Sequence, residues 1–203
     1  RHVAPLLGAE GKVVALDISP AMLAVGRALP APSGATIEWL EGNAMRLELP
    51  SGAFDLVLCQ QGLQFFPDRA ASIREMRRVL TDGGRVAISV WQALRFHPIY
   101  EALFDATARH LGAPLSSLDV SFSLWDAEEL RTLLKEAGFQ RIVIMPRALE
   151  VRLPTPDCFV QLTVLGAATS VPAFARLDAA ARRAVVQAVS SETESVARRY
   201  RDG

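Results

Sequence analysis

Apolar and polar positions alternate between strand-like and helix-like spacing through the first half of the chain. Val13, Val14, Ala15 and Leu16 form a short apolar run that reads as a parallel strand covered on both faces, with Asp17 at its carboxyl end. Ser19 is placed to cap a helix whose first position suits Pro20, and that helix is predicted to run to about Ala28. Ile37, Trp39 and Leu40 lead a second strand over residues 36–41, which ends in Gly42, Asn43 and Ala44. Residues 54–59, FDLVLC, read as a third, buried strand; Gln60, Gln61, Gly62, Leu63, Gln64 and Phe65 then crowd amides and aromatics past its end. Asp68 is spaced to cap a helix with Ile73, Met76, Val79 and Leu80 on one face, leaving Arg74, Glu75, Arg77 and Arg78 as a solvated face. The turn Thr81-Asp82-Gly83-Gly84 leads into a fourth strand over residues 85–91. This alternation predicts an α/β fold, a parallel sheet flanked by helices.

Residues 92–125 break the rhythm. They hold a predicted helix from Pro98 to Leu111, with Ile99, Leu103, Phe104 and Thr107 on one face, then a Gly, Pro and Ser-rich loop, and read as a lid or substrate wall. Asp126 and Glu129 are spaced as a capping box ahead of Leu130, Leu133, Leu134 and Ala137. Residues 142–153 read as extended: Pro146 confines that part to an edge or bulge, and Leu149, Val151 and Leu153 alternate with Glu150 and Arg152. A helix is predicted from Thr155 and Pro156 to about Ala168. A last one follows Asp178, with Ala181, Ala184, Val185, Ala188 and Val189 inward and Arg182, Arg183, Arg198 and Arg199 solvated. The expected organisation is one α/β domain over residues 1–153, with the insert at 92–125, and a helical extension over 154–203 packed on it.

Composition narrows the function classes. Half of the 203 residues are apolar, enough for one substantial core, and Lys plus Arg equals Asp plus Glu at 22 each. There is no net charge to hold a nucleic acid, and no apolar run reaches the ~20 residues that a membrane helix needs. Cys59 and Cys158 are isolated, and His2, His97 and His110 make no metal-ligand spacing with them, so no metal is expected and a reducing, cytoplasmic setting is. Gly8 and Gly11 precede a strand rather than open a helix, and read as turn glycines instead of a phosphate loop.

The chemistry-bearing positions lie past the strand ends. Asp17 is suited to accept hydrogen bonds from a ribose diol, although an Asp in a strand-to-helix turn needs no ligand to explain it. Asn43 beside the small Ala44 suits an amide held against a base edge. Asp55 lies at the amino end of its strand and reads as structural, an acceptor of loop hydrogen bonds. His97 could serve as a base in a substrate wall, or simply as a turn residue before Pro98.

Three segments, VVALDISPAML, EGNAMRLELPSGAFDLVLCQQGLQFFPD and REMRRVLTDGGRVAISVW, together resemble the class I S-adenosylmethionine-dependent methyltransferases, of the small-molecule branch labelled methyltransferase type 11 or UbiE-like. The resemblance implies a Rossmann-like sheet and the cofactor S-adenosylmethionine, with S-adenosylhomocysteine as product. It assigns Asp17 to the ribose hydroxyls, Ile18 and Met22 to the adenine face, and Asn43 and Ala44 to the adenine edge. Many relatives carry Asp where this chain has Asn43, whose amide oxygen can still meet the exocyclic amine. Gln60 and Gln61 would border the methionine part; Leu63, Gln64 and Phe65 would lie nearer the methyl-transfer face, with His97 and Tyr100 as substrate-lining residues and no catalytic base assigned. The acceptor is expected to be a small molecule of unspecified identity, and the oligomeric state is left open.

The family's glycine-rich loop between first strand and first helix has no counterpart after Arg1. The expectation is therefore a fragment of a longer protein, lacking the central first strand and the last, antiparallel strand of the sheet. A central gap would leave rows of backbone groups unpaired, at ~1–3 kcal/mol for each buried one. Two rival readings share some of these features: an NAD(P)-dependent oxidoreductase, which also uses an acid after a second strand, and a methyltransferase-like domain that no longer catalyses and serves in interaction.

Overall fold

A computed structural model describes residues 1–149, 155–168 and 171–200. The chain divides into two compact units, the first made of Arg1–Cys59, Phe66–Ala87 and Leu133–Arg141, the second of Gln60–Phe65, Ile88–Thr132 and Ile142–Gly203.

In the first unit a short helix α1 (Ala4–Leu7) precedes β1 (Lys12–Asp17), α2 (Pro20–Ala28) and β2 (Thr36–Glu41). β1 and β2 pair in parallel from Lys12 opposite Thr36 to Asp17 opposite Glu41. The Ser19 hydroxyl accepts the Met22 N–H at 3.4 Å and Pro20 occupies the first turn, so α2 starts where the cap signals place it. β3 (Phe54–Gln60) leads through α3 (Arg69–Val79) to β4 (Leu80–Ser89), with which it pairs. Backbone bonds from Ala53 to Val79 at one end and from Gln61 to Ser89 at the other run these two strands in the same direction. The Asp68 carboxylate caps α3 at the Ala71 N–H, 2.8 Å away, and Ile73, Met76, Val79 and Leu80 are buried as their spacing predicts.

The strands depart from expectation in burial. No residue of β1 is fully buried, and Leu56 and Leu58 of β3 are 43% and 49% exposed. Covering a strand takes paired neighbours on both sides and layers on both faces, and each of these has a single paired neighbour among the described residues. β4 also begins at Leu80 rather than after the glycines, because Thr81 is drawn into register: its hydroxyl bonds the Phe54 carbonyl at 3.3 Å and the Asp55 carboxylate at 3.4 Å. Asp55 is thus a structural acceptor, as its place at the amino end of the strand suggests.

The second unit is helical. α4 (Pro98–Leu111), α6 (Pro156–Ala168) and α8 (Ala179–Ala197) bury Leu103, Phe104, Val160, Val164 and Val189 with Phe174 of the short α7 (Pro172–Ala175). Thr107 and Thr193 are buried here, and each hydroxyl returns to the carbonyl four residues earlier, Leu103 at 2.6 Å and Val189 at 2.7 Å. Glu192 of α8 pairs with Arg109 and His110 of α4.

Helix α5 (Ala127–Glu136) follows Asp126, whose carboxylate accepts the Glu128 N–H at 2.8 Å, and buries Leu130 and Leu134. Three local expectations change. Ala184 is exposed while Val186 packs inward, and Arg182 is only partly solvated: it lies over the Phe174 ring at 5.4 Å and donates to the Ala175 carbonyl at 2.8 Å. Residues 142–149 form no strand; Val143, Met145 and Leu149 are exposed, and Pro146 removes a ladder donor. The predicted alternation over Glu150, Val151, Arg152 and Leu153 lies outside the described residues.

The packing of α2 on β2 is tight enough to test. A Cβ on Gly26 would stand 2.5 Å from the Trp39 ring. Gly26→Ala is expected to lower the urea midpoint, because overpacking of the order of 2 kcal/mol exceeds the ~1 kcal/mol that Ala gains over Gly in a helix.

Candidate functional site

In the first unit, parallel pairing sets Asp17 and Glu41 side by side at the carboxyl edge of β1 and β2, with Asn43 two residues further on. The chain holds this edge by short local bonds. One Asp17 carboxylate oxygen accepts the Ser19 N–H at 2.8 Å, and the Asp17 carbonyl accepts the Gly42 N–H at 3.0 Å. Its second carboxylate oxygen has no hydrogen-bond partner among the described residues. Beside it Ile18 and Met22 are 69% and 60% exposed, two apolar side chains not packed into the core. At the carboxyl ends of the two strands a recess of about 280 Å³ is lined by Leu16, Leu40, Gly42 and Asn43, with the charged Glu41, Arg46 and Glu48. A half-buried carboxylate, exposed apolar surface and an adjoining recess fit the adenosine half of S-adenosylmethionine: a diol, a flat ring and room for its edge.

Asn43 is engaged differently from expectation. Its amide oxygen accepts the Met45 N–H at 2.9 Å, and its backbone bridges to Arg46. The amide oxygen keeps one lone pair for a further donor. Ala44 is half-buried behind it.

The segment that follows Asn43 is laid along α3. Asp68 donates its N–H to the Met45 sulfur at 3.3 Å, and Glu75 accepts the Leu47 N–H at 2.7 Å. Arg78 bonds Glu75 through two guanidinium nitrogens, at 2.7 and 2.8 Å, and spends its remaining donors on the carbonyls of Leu47 and Leu49, both at 2.9 Å, and on the Ser51 hydroxyl. The Arg78 guanidinium is the main reason that the Glu75 carboxyl titrates below the usual carboxylate range. These two residues do not form the solvated face expected of them; the i,i+3 spacing of Glu and Arg is a local signal of their pairing, and their targets 27–31 residues away leave none.

The second unit carries the remaining site residues. Gln60 is exposed at the end of β3. Gln61 has φ +52°, a region that residues with side chains seldom occupy, and its amide oxygen accepts a bond from the Gln64 side chain at 3.1 Å. That strained backbone had no sequence signal. Leu63 and Gln64 are buried and Phe65 is 49% exposed. His97 and Tyr100 lie together in an aromatic cluster: the His97 ring meets Trp91 and Phe122 at 5.2 Å and Tyr100 at 6.1 Å, and Tyr100 also packs on Phe159. Burial lowers the His97 pKa and raises that of Tyr100, and His97 Nε2 is buried with no hydrogen-bond partner among the described residues. No group of three or more His, Cys, Asp or Glu able to hold a metal occurs among the described residues.

Residues 1–88 match a family described as a methyltransferase domain. The chain is 34% identical over 147 residues to the demethylmenaquinone methyltransferase of Lactococcus lactis subsp. lactis (strain IL1403), covering 66% of this chain and 58% of that protein. It is 30% identical over 151 residues to the ubiquinone/menaquinone biosynthesis C-methyltransferase UbiE of Cronobacter sakazakii (strain ATCC BAA-894), covering 68% and 60%. The chain thus spans about three fifths of the length of these relatives. Among solved structures it is similar to a protein of Anabaena variabilis ATCC 29413, provisionally described as a methyltransferase from an antibiotic biosynthesis pathway, with TM-score 0.57, 19% identity and coverage of 91% and 70%. It is also similar to the YcgJ protein of Bacillus subtilis, with TM-score 0.52, 15% identity and coverage of 90% and 74%. These likenesses show a Rossmann-like α/β fold.

The His97 cage generates a pH test. A histidine whose pKa is lowered on folding takes up its proton more readily when unfolded, so stability falls as pH drops below about 6.5. Between pH 7.5 and 5.5 the unfolding free energy from urea titration is expected to decline, and to decline less in His97→Phe, which keeps a ring among Trp91, Tyr100 and Phe122.

Proposed function

We propose, for a chain that belongs to the class I S-adenosylmethionine-dependent methyltransferases of the UbiE-like type, that it transfers a methyl group from S-adenosylmethionine to a small-molecule acceptor. What carries this reading is the carboxyl edge of β1 and β2, where Asp17 keeps one carboxylate oxygen uncommitted beside the exposed Ile18 and Met22 and the recess at Asn43. Asp17 would hold the ribose diol, Ile18 and Met22 the adenine faces, and Asn43 with Ala44 its edge. Gln60 and Gln61 would take the methionine part.

S-adenosylmethionine would supply a methyl group activated on a sulfonium: an acceptor atom would bond to that methyl in line as the methyl–sulfur bond breaks, S-adenosylhomocysteine would leave with the electron pair, and the acceptor would lose its proton. The protein's task is to orient and to exclude water, with no nucleophilic side chain of its own. The carboxylate of Asp17 binds the part of the cofactor that does not react, and so contributes to positioning. Gln64, Phe65, His97 and Tyr100 are our acceptor-side residues. His97, kept neutral by its burial, is the side chain able to accept a proton from an acceptor hydroxyl.

For the acceptor we take a ring of the quinone type, supported by the names of the Lactococcus and Cronobacter relatives. A reducing cytoplasm fits the isolated spacing of Cys59 and Cys158 in the sequence, and no helix among the described residues is long and apolar enough to cross a membrane. A nicotinamide-dependent reaction is not favoured, since the relatives are methyltransferases.

Isothermal titration with S-adenosylhomocysteine tests the reading. Saturable binding is expected, weakened ten- to hundredfold in Asp17→Ala, as the loss of charge-assisted bonds to a diol implies. Absence of binding, or undiminished binding in the variant, overturns it.

A further inference from the structure

Two charged residues of α3, Glu75 and Arg78, and its cap Asp68 bond one strip of the chain. Asp68, Glu75 and Arg78 lie along the helix, and their partners Met45, Leu47, Leu49 and Ser51 succeed one another directly after Asn43 and Ala44. The strip ends in two further backbone bonds, from Gly52 to the Arg78 carbonyl at 2.9 Å and from Ala53 to the Val79 carbonyl at 2.8 Å. Residues 45–53 therefore lie along the helix with no regular structure of their own, and side chains of α3 satisfy backbone groups that a strand ladder would otherwise take.

We infer that the Glu75–Arg78 pair is a positioning device for the adenine edge of the cofactor site: it fixes the strip after Asn43, and through it the place at which the Asn43 amide stands. The inference rests on the proposed cofactor reading. Three geometric facts support it. Arg78 reaches the carbonyls of Leu47 and Leu49 and both Glu75 oxygens with one planar group, so its donors cannot shift independently. Glu75 returns the other way to the Leu47 N–H, so a single residue is gripped by donor and acceptor together. At the strip's beginning, Asn43 is closed onto Met45 and Arg46, which leaves no residue of slack before Leu47. Asn43, Arg46 and Glu48 of this stretch line the recess itself. A shift of the strip is thereby a change in the recess.

Neither residue touches the reacting groups, so a role in positioning predicts a selective defect. Arg78→Lys keeps the charge and loses the fork, and Glu75→Gln keeps the shape and loses the charge. In both, the affinity for S-adenosylhomocysteine by calorimetry is expected to fall five- to fiftyfold, and amide hydrogen exchange over residues 43–51 of the cofactor-free protein to quicken. In turnover, KM for S-adenosylmethionine should rise by a similar factor while kcat and KM for the acceptor stay within twofold, a split that general destabilisation would not give.

Unchanged affinity in both variants, with the parent binding normally, overturns the inference while leaving the cofactor reading intact. A parent protein that binds no S-adenosylhomocysteine overturns both. Should Arg78→Lys fail to fold, Glu75→Gln and the exchange measurement decide alone.

Discussion

The register of two parallel strands is the constraint on which the candidate site depends. Once Lys12 is opposite Thr36, each further pair is determined, and the strands end together with Asp17 beside Glu41. Asp17 and Leu16 stand on opposite faces, and a slip of one residue would exchange them. The edge is then held by two short devices: the Asp17 carboxylate takes the Ser19 N–H, and the Asp17 carbonyl takes the Gly42 N–H. A carboxylate that binds its own helix start in this way has its rotamer set before any ligand arrives, so less ordering remains to be done on binding. The same bond uses only one of the carboxylate's roughly four accepting positions.

Most of the elements in the chain were legible because their signals are local. Ser19, Asp68 and Asp178 cap helices at residues three positions on, and the spacing of Ile73, Met76 and Val79 needs nothing beyond one helix to be read. Burial was less so. Leu56 and Leu58 are as apolar as any core strand, yet half exposed, because covering them depends on neighbours that a local pattern does not specify. Arg78 and Arg182 were misread for a related reason. A guanidinium on a helix surface has the same sequence context whether it meets water, the carbonyls of Leu47 and Leu49, or the ring of Phe174.

The candidate site divides along the same line. Asp17, Ile18 and Met22 were readable because the strand end, cap and helix start sit within a few residues of one another. Asn43 was readable as a position but not in its bonding: its turn back onto Met45 is a short-range Asx contact that the sequence permits without requiring. The φ of Gln61 and the grouping of His97 with Trp91, Tyr100 and Phe122 depend on packing alone.

Such a division has a physical basis in what each half must recognise. A nucleoside presents a fixed set of groups, a diol and a ring edge, which call for a carboxylate and an amide in set places; chemistry of that kind leaves a mark in residue type and spacing. An acceptor held by shape and apolar surface leaves no such mark, because Phe65, Trp91, Tyr100 and Phe122 are as suitable for a core as for a substrate wall. The buried Nε2 of His97 is the exception in that wall. An imidazole nitrogen kept from water and from any described partner is costly to maintain in an otherwise apolar cluster, and the cluster gains nothing in packing from His that a Phe would not give. An acceptor group that could bond this nitrogen would relieve that cost, which is the physical ground for placing the acceptor hydroxyl there rather than at Tyr100, whose phenol burial keeps firmly protonated.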